Sequence, residues 1–152
     1  MSKVETGSSR GPGPIDRGAL LEFLRRQRFG VVSSAAADGN PQSALVGIAT
    51  SDDLEIVFDT LVTTRKHANL SARPNCSFVI GWSGEQTVQL EGSATLPTGA
   101  ELERYREIYF GAWPDGRDRL SWPGLVHVVV RPRWIRYSDF DPDPPLIVEI
   151  RL

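Results

Sequence analysis

Cysteine is almost absent from this 152-residue chain, in which Cys76 is the only one. A single thiol excludes an internal disulfide and a thiolate metal cluster, and we predict no metal site. Cys76 lies in an apolar, strand-like run, which indicates a buried, inert thiol. The sequence also lacks any run of 18 apolar residues, and its N-terminal segment has no apolar stretch typical of a secretory signal. We therefore expect a cytoplasmic protein with no membrane partner.

Lysine is the second scarce residue. Of 17 basic residues only Lys3 and Lys66 are lysines, so Lys66 is the one lysine in the body of the chain. With 19 acidic residues the formal net charge is −2, which leaves no global basic field to attract nucleic acid. Hydrophobic residues make up 40% and charged residues 24%, as in soluble globular proteins rather than disordered ones. We expect no nucleic-acid partner.

The order of local patterns predicts the architecture. Residues 1–13 are mainly Gly, Ser, Pro and charged residues and predict a disordered N-terminal tail, followed by one domain over residues 14–152. A helix with Asp16 as its N-cap opens that domain. Strands are predicted over residues 29–37, 42–50, 54–60, 75–82, 86–96, 125–131, 134–137 and 146–152, helices over 64–72 and 98–110, and an irregular loop over 111–124. Thr98 and Glu101 have the spacing of a capping box. Strands joined mainly by hairpins predict a mainly β, α+β fold, an antiparallel barrel with peripheral helices.

One strand–turn–helix segment has a pattern with chemical meaning. The strand ends at Thr60, the helix begins near Thr64, and Arg65 and Lys66 follow in its first turn. Cations at this place oppose the helix dipole, while free backbone N–H groups point the same way. Hydroxyls, backbone donors, a guanidinium and an ammonium at a helix start suit an oxyanion such as phosphate. The alternative is a basic helix face without a ligand.

The same segment carries a resemblance. The run Ala44 to Ile48, then Phe58-Asp59-Thr60, then Thr64-Arg65-Lys66 resembles the pyridoxamine 5′-phosphate oxidase-like family of FMN-binding split barrels, and so do residues 87–94 and 131–137. The resemblance implies a six-stranded antiparallel split β-barrel with peripheral helices. It also implies a cytoplasmic homodimer with FMN at the subunit interface, and a flavin-dependent oxidoreductase that acts on a small-molecule substrate.

The resemblance also implies roles for individual residues. Arg65 and Lys66, with Thr64 before them, match the phosphate-binding residues. Asp59 and Thr60 match a strand-end pair near the flavin. The strand that flanks the isoalloxazine and ribityl chain corresponds to Ala44, Leu45, Val46, Gly47, Ile48 and Ala49. Thr87, or Gln86 one place earlier, corresponds to the residue that reaches the cofactor from the other subunit.

Departures from the family pattern bear on the substrate. The Arg/Ser/Tyr set that holds pyridoxal phosphate has no match in residues 109–119, and the C-terminal Arg-x-His is absent. We therefore expect a substrate other than pyridoxamine phosphate, and we assign no catalytic residue. Asp59 replaces an aromatic residue and is expected to put a negative charge near the cofactor. Two alternatives stay open: a deazaflavin in place of FMN, and a non-catalytic flavin- or haem-binding sensor.

Two residue types outside this segment are open to more than one interpretation. His127 shares a strand face with Leu125 and Val129, which favours a core histidine over an acid–base catalyst. Tryptophans usually pack in a core or an interface, but Trp113 and Trp122 lie in the irregular loop and are the better candidates for lining a pocket.

Overall fold

The structure, a computed structural model, describes residues 16–152. The predicted tail over residues 1–13 lies outside these residues. The helices are α1 (Arg17–Arg26), α2 (Arg65–Ala72), α3 (Gly99–Ala112) and a 3₁₀ helix (Pro114–Ser121). The strands are β1 (Phe29–Ala35), β2 (Pro41–Gly47), β3 (Ala49–Thr50), β4 (Ile56–Leu61), β5 (Asn75–Ile80), β6 (Gln86–Thr95), β7 (Leu125–Asp139) and β8 (Leu146–Arg151).

These strands form one antiparallel sheet that curls into a barrel. Its neighbours run in the order β2, β1, β5, β6, β7, β4 and β3, with β8 added on β7. The first and last strands of this order, β2 and β3, are separated in the chain by Ile48 alone, so the two ends of the sheet meet in one chain segment. With β2 and β3 counted as one strand, six strands form the barrel. The predicted six-stranded antiparallel split barrel with peripheral helices is confirmed.

Strand β7 holds the barrel together because it pairs along both of its edges. One edge pairs with β6, while the other pairs first with β4 and then with β8. The sequence leaves open whether residues 134–137 continue the strand past Pro132, and in the structure the strand runs through it. The register shifts between Glu91 and Gly92 on the facing strand, and a Cβ at Gly92 would lie 2.3 Å from the carbonyl oxygen of Arg131. A bulge at a glycine therefore accommodates the proline within the sheet.

The apolar core fills the inside of the barrel. Phe58, Phe78 and Leu90 are buried there, and α1 closes one side with its buried residues Leu20, Phe23 and Leu24. Asp16 caps α1 as predicted, because its Oδ1 accepts hydrogen bonds from the N–H groups of Gly18 and Ala19. A second layer lies outside the sheet, where α3 packs Tyr105, Tyr109 and Phe110 against Val57 and Val129.

Two local predictions were wrong. The side chain of Thr98 makes no cap hydrogen bond at the start of α3, and Glu101 instead accepts a hydrogen bond from Arg131 at 3.3 Å. An ion pair with a distant strand thus replaces the predicted capping box. The loop over residues 111–124 contains a 3₁₀ helix, Pro114–Ser121, which starts at a proline whose fixed φ suits a helical first turn.

Candidate functional site

The turn between β4 and α2 is fixed by threonine hydroxyls. Thr64 Oγ1 accepts from the N–H of His67 at 3.3 Å, donates to the Leu61 carbonyl at 2.9 Å, and lies 3.0 Å from Thr60 Oγ1. Thr64 is therefore the N-cap of α2, and Arg65 and Lys66 occupy the first turn as the sequence predicts. The predicted Thr60 and Thr64 shape this turn through their side chains.

A cavity of about 210 Å³ lies in front of this helix start. It is lined by Val32, Ser34, Gln42, Ser43, Ala44, Arg65 and Lys66. The lining residues include two cations, three polar side chains and no carboxylate. This set of donors matches an oxyanion such as a phosphate group.

Lys66 is held in a partly dehydrated position. Burial lowers the pKa of its ammonium, and the nearby Asp59 carboxylate raises that pKa in smaller measure. A charged amine that has lost hydration is stabilised by an anionic ligand. The only lysine of the body of the chain thus lies where a bound anion would compensate its burial.

Asn69, on the inner face of α2, anchors the helix beside the cavity. It is 6% exposed, and its Nδ2 donates to Ser34 Oγ at 3.0 Å and to Gln42 Oε1 at 2.9 Å. The bonds tie α2 to β1 and β2 and fix two of the cavity's polar groups. Sequence reasoning missed Ser34 and Gln42 because they come near Asn69 only through strand pairing.

The predicted flavin strand does not present one continuous surface. Val46 and Ile48 are buried inside the barrel, whereas Leu45 is 60% exposed on the outside. Ala44 lines the cavity in front of α2. The remaining two residues lie under other elements, Gly47 beneath the Trp113 ring and Ala49 in the layer under α3. Of the six predicted residues, Ala44 is the one that shares a cavity with Arg65 and Lys66.

Asp59 is paired on the outer side of β4. Arg119 Nε donates to its Oδ2 at 2.9 Å and the Tyr109 hydroxyl donates to its Oδ1 at 3.2 Å. Arg119 compensates the negative charge expected at Asp59. Sequence reasoning did not assign Arg119, since 60 residues separate it from its partner and neither local pattern indicates the pairing.

Gln86 and Thr87 lie at the start of β6, away from the cavity. The register of β1, β5 and β6 puts them beside the beginning of β1, whereas Ser34 of the cavity lies near its end. Gln86 Nε2 donates to the hydroxyl of Tyr137. Within one chain the structure does not bring these two residues to Arg65 and Lys66.

His127 and the two loop tryptophans differ in their burial. His127 is 2% exposed, and the rings of Tyr109 and Phe110 contact it edge-on, so it is a core histidine. Trp113 is partly buried and lines a second cavity, whereas Trp122 is 51% exposed.

The fold and this cavity together define a split-barrel protein with a basic cavity at the start of a helix. The sequence matches the family described as "Pyridoxamine 5'-phosphate oxidase" over residues 17–139. Since this match covers most of the chain, the protein belongs to that family.

The curated relatives are distant and longer. A pyridoxine/pyridoxamine 5'-phosphate oxidase from Burkholderia multivorans is 27% identical over 138 residues, which cover 84% of this chain and 63% of the relative. The chain thus spans about three fifths of the length of the relative.

Solved structures share the fold at low sequence identity. A heme binding protein from Mycobacterium smegmatis superimposes with a TM-score of 0.77 at 17% identity, over 91% of this chain and 59% of the other. A pyridoxamine 5'-phosphate oxidase-related, FMN binding protein from Nostoc punctiforme gives a TM-score of 0.68 at 12% identity, over 93% and 99%. These similarities show that this chain shares the barrel fold with both proteins.

Within residues 16–152, no helix has the length and apolar character needed to cross a membrane.

Proposed function

We propose that this chain binds flavin mononucleotide, with its phosphate on Arg65 and Lys66, and serves as an oxidoreductase on a small molecule other than pyridoxamine phosphate. The observation that carries the proposal is the cavity in front of α2, where two cations and the Ser34, Gln42 and Ser43 side chains converge without a carboxylate. Membership of the family supports the choice of a flavin over other phosphate-bearing ligands.

The cavity fits a phosphate and the beginning of an attached chain. At about 210 Å³ it lies below the usual range of roughly 300–1,000 Å³ for whole-ligand pockets, so the flat ring system needs surface beyond it. Arg65 and Lys66 would neutralise the phosphate, and Asn69 would keep Ser34 and Gln42 in place as further polar contacts. When bound, the flavin would supply electron-pair transfer, and the protein supplies binding and orientation.

A second copy of the chain is the proposed source of the missing surface. Leu45, Val79 and Phe29 are exposed on the outer face of the sheet, and Val31 pairs with both Leu45 and Val79, so these side chains form one apolar patch. Such a patch favours association. Thr87 alternates onto this same face, whereas Gln86 is engaged by Tyr137. Thr87 is therefore the better candidate to reach a cofactor across a homodimer.

The phosphate assignment is tested by comparing FMN with riboflavin, which lacks the phosphate. Lys66→Ala and Arg65→Ala are each expected to weaken FMN binding about 10- to 100-fold, because a hydrogen bond to a charged group contributes about 1.5–3 kcal/mol. Riboflavin binding should stay unchanged. Fluorescence titration of the flavin measures both affinities.

Arg17→Ala is the matched control, because Arg17 opens α1 as Arg65 opens α2 but lies outside the cavity. It should bind FMN as the wild type does. Unchanged FMN affinity in both site variants would remove the phosphate assignment.

The absorbance spectrum of the copurified cofactor distinguishes FMN from the two alternatives, a deazaflavin and haem. A deazaflavin absorbs at shorter wavelength than FMN, and haem gives a Soret band. A tightly held flavin that neither nicotinamide donors nor candidate substrates reduce would favour a non-catalytic sensor over an oxidoreductase.

A further inference from the structure

A second cavity, of about 520 Å³, lies between α1, β3 and the C-terminal half of α3. Its lining consists of Leu24, Arg25, Gln27, Arg28, Ile48, Ala49, Thr50, Glu107, Ile108, Gly111, Ala112 and Trp113. None of these residues lines the anion cavity in front of α2. Its volume falls within the range of roughly 300–1,000 Å³ that is typical of pockets for small organic ligands.

Trp113 is a rigid wall of this cleft. Its indole Nε1 donates to the Ile48 carbonyl at 3.0 Å. Its ring lies directly over Gly47, where an added Cβ would be 2.6 Å from it. Tyr109 stacks against the same ring with an interplanar angle of 20°. The absence of a side chain at Gly47 therefore allows Trp113 to pack flat against the strand.

Arg28 is the cation with donors left for a ligand. Its guanidinium stacks on Trp113 at 3.9 Å from the ring centroid, and Nη1 donates to the Ala112 carbonyl at 3.3 Å. A guanidinium carries five N–H groups, so most N–H groups of Arg28 remain free to donate to a ligand. Among residues 16–152, no carboxylate oxygen lies within 4.0 Å of it.

The other charged groups of the cleft are already paired. Arg25 donates to the Thr50 carbonyl at 3.1 Å and to Asp52 at 2.8 Å. Glu107 pairs with Arg117 at 3.2 Å. Arg28 therefore sets the charge that an incoming ligand meets.

The accessible apolar floor of the cleft lies on α3. Leu24, Ile48 and Ala49 are almost completely buried beneath the cleft, so a ligand would meet the partly exposed side chains of Ile108 and Ala112. A stacked guanidinium above an apolar floor combines planar, bidentate recognition of a carboxylate with burial of a hydrophobic body.

We propose that this cleft binds a small organic anion of the aromatic carboxylate class. Its apolar body rests on the floor formed by Ile108 and Ala112, and its carboxylate takes two N–H groups of Arg28. Trp113 positions Arg28 by holding the guanidinium flat. The site is separate from the proposed flavin phosphate site.

The probe pair 2-naphthoate and 2-naphthamide tests the proposal, since the two share a body and differ in charge. Isothermal titration of the full chain should show binding of the carboxylate and at least tenfold weaker binding of the amide. Arg28→Gln should weaken naphthoate binding about 10- to 100-fold and leave the amide unchanged. Arg28→Lys should give an intermediate affinity, because an ammonium keeps the charge but loses the bidentate geometry.

Two further variants serve as controls. Arg26→Gln removes an exposed cation from the last turn of α1 that does not line the cleft, and it should bind naphthoate as the wild type does. Lys66→Ala should also retain naphthoate binding even where FMN binding is lost, which separates the failure of one site from that of the other. Equal affinity for the two probes, or unchanged naphthoate binding in Arg28→Gln, would overturn the proposal. Absence of naphthoate binding to the wild type would overturn it as well.

Discussion

The two faces of β4 lie against different kinds of surroundings. On the inner face, Ile56 and Phe58 are completely buried in a cluster of apolar side chains. On the outer face, Val57 lies beside two tyrosines of α3, and Asp59 is bonded within the same layer. Burial of apolar area accounts for the inside of the barrel. On the outside, hydrogen-bonded charges add to the apolar packing of α3, and their contribution depends on every partner being present.

The polar contacts of α3 repeat along the helix. The hydroxyl of Tyr105 donates to Glu55, and that of Tyr109, four residues later, donates to Asp59, itself four residues beyond Glu55. Each carboxylate also accepts from an arginine, Arg131 for Glu55 and Arg119 for Asp59. The helix is therefore attached to β4 and to the residue just before it by two tyrosine–carboxylate–arginine sets. A layer built this way is sensitive to charge and pH, whereas the barrel core is sensitive to volume.

Removing a ring from the inner face should have the largest effect on stability. Phe58→Ala deletes a completely buried side chain that contacts Phe78 edge-on at a centroid distance of 5.9 Å. The lost burial and the resulting cavity are expected to lower the free energy of unfolding by about 3–5 kcal/mol. Guanidinium chloride unfolding measures the change. A decrease of the free energy of unfolding by less than about 1 kcal/mol would show that burial in the barrel core is not the main source of stability.

Removing a charge from the outer layer should have an intermediate effect. Glu55 is 6% exposed and accepts from Ser51, Tyr105 and Arg131. Glu55→Gln keeps the shape but leaves donors without their acceptor, and it should lower the free energy of unfolding by about 1–3 kcal/mol. Glu101→Gln is the control, since Glu101 contacts Arg131 from an exposed position and should change stability by less than about 0.5 kcal/mol. Equal effects of the two substitutions would contradict the distinction between buried and exposed partners.

Protonation of His127, which packs against Tyr109 and Phe110 in the outer layer, should give the smallest effect. This effect is a dependence of stability on pH. Burial lowers the pKa of His127, Asp59 raises it, and Arg106 and Arg119 lower it. The unfolded chain protonates this histidine near pH 6.5 and the folded protein only at lower pH. Unfolding therefore takes up a proton between these two values. Stability is full above about pH 6.5 and falls as the pH drops toward the folded pKa, by at most about 1.4 kcal/mol per pH unit.

Urea unfolding between pH 5 and 8 measures this slope. His127→Leu should reduce the slope, because the protonating group is gone. The same slope in the wild type and in His127→Leu would assign the pH dependence to other groups.

The parts of the structure that the sequence predicted are those set by neighbouring residues. Alternation and turn residues predicted the barrel strands, and the spacing from Thr60 to Lys66 predicted the helix start with its two cations. Lys66, the one lysine in the body of the chain, lies in the same turn. The local signal at Thr98 failed because Glu101 bonds to a strand 30 residues further on.

The parts that the sequence did not predict depend on pairing across the sheet or on contacts between layers. Ser34 and Gln42 meet Asn69 only after β1, β2 and α2 pack together. The pairing of Arg119 with Asp59 needs the 3₁₀ helix to fold over β4. The cleft beside Trp113 needs three elements that lie far apart in the chain, and no spacing of residues indicates it.

Ile48, between β2 and β3, anchors the cleft through its backbone. Ile48 gives its N–H to the Arg28 carbonyl at 3.0 Å and its carbonyl to the Trp113 indole. Both groups belong to the backbone, and every residue except proline carries both. A related chain with a different residue at this position can build the same anchor. A comparison of residues at position 48 therefore does not detect the anchor, which depends on the path of the main chain and on the indole of Trp113.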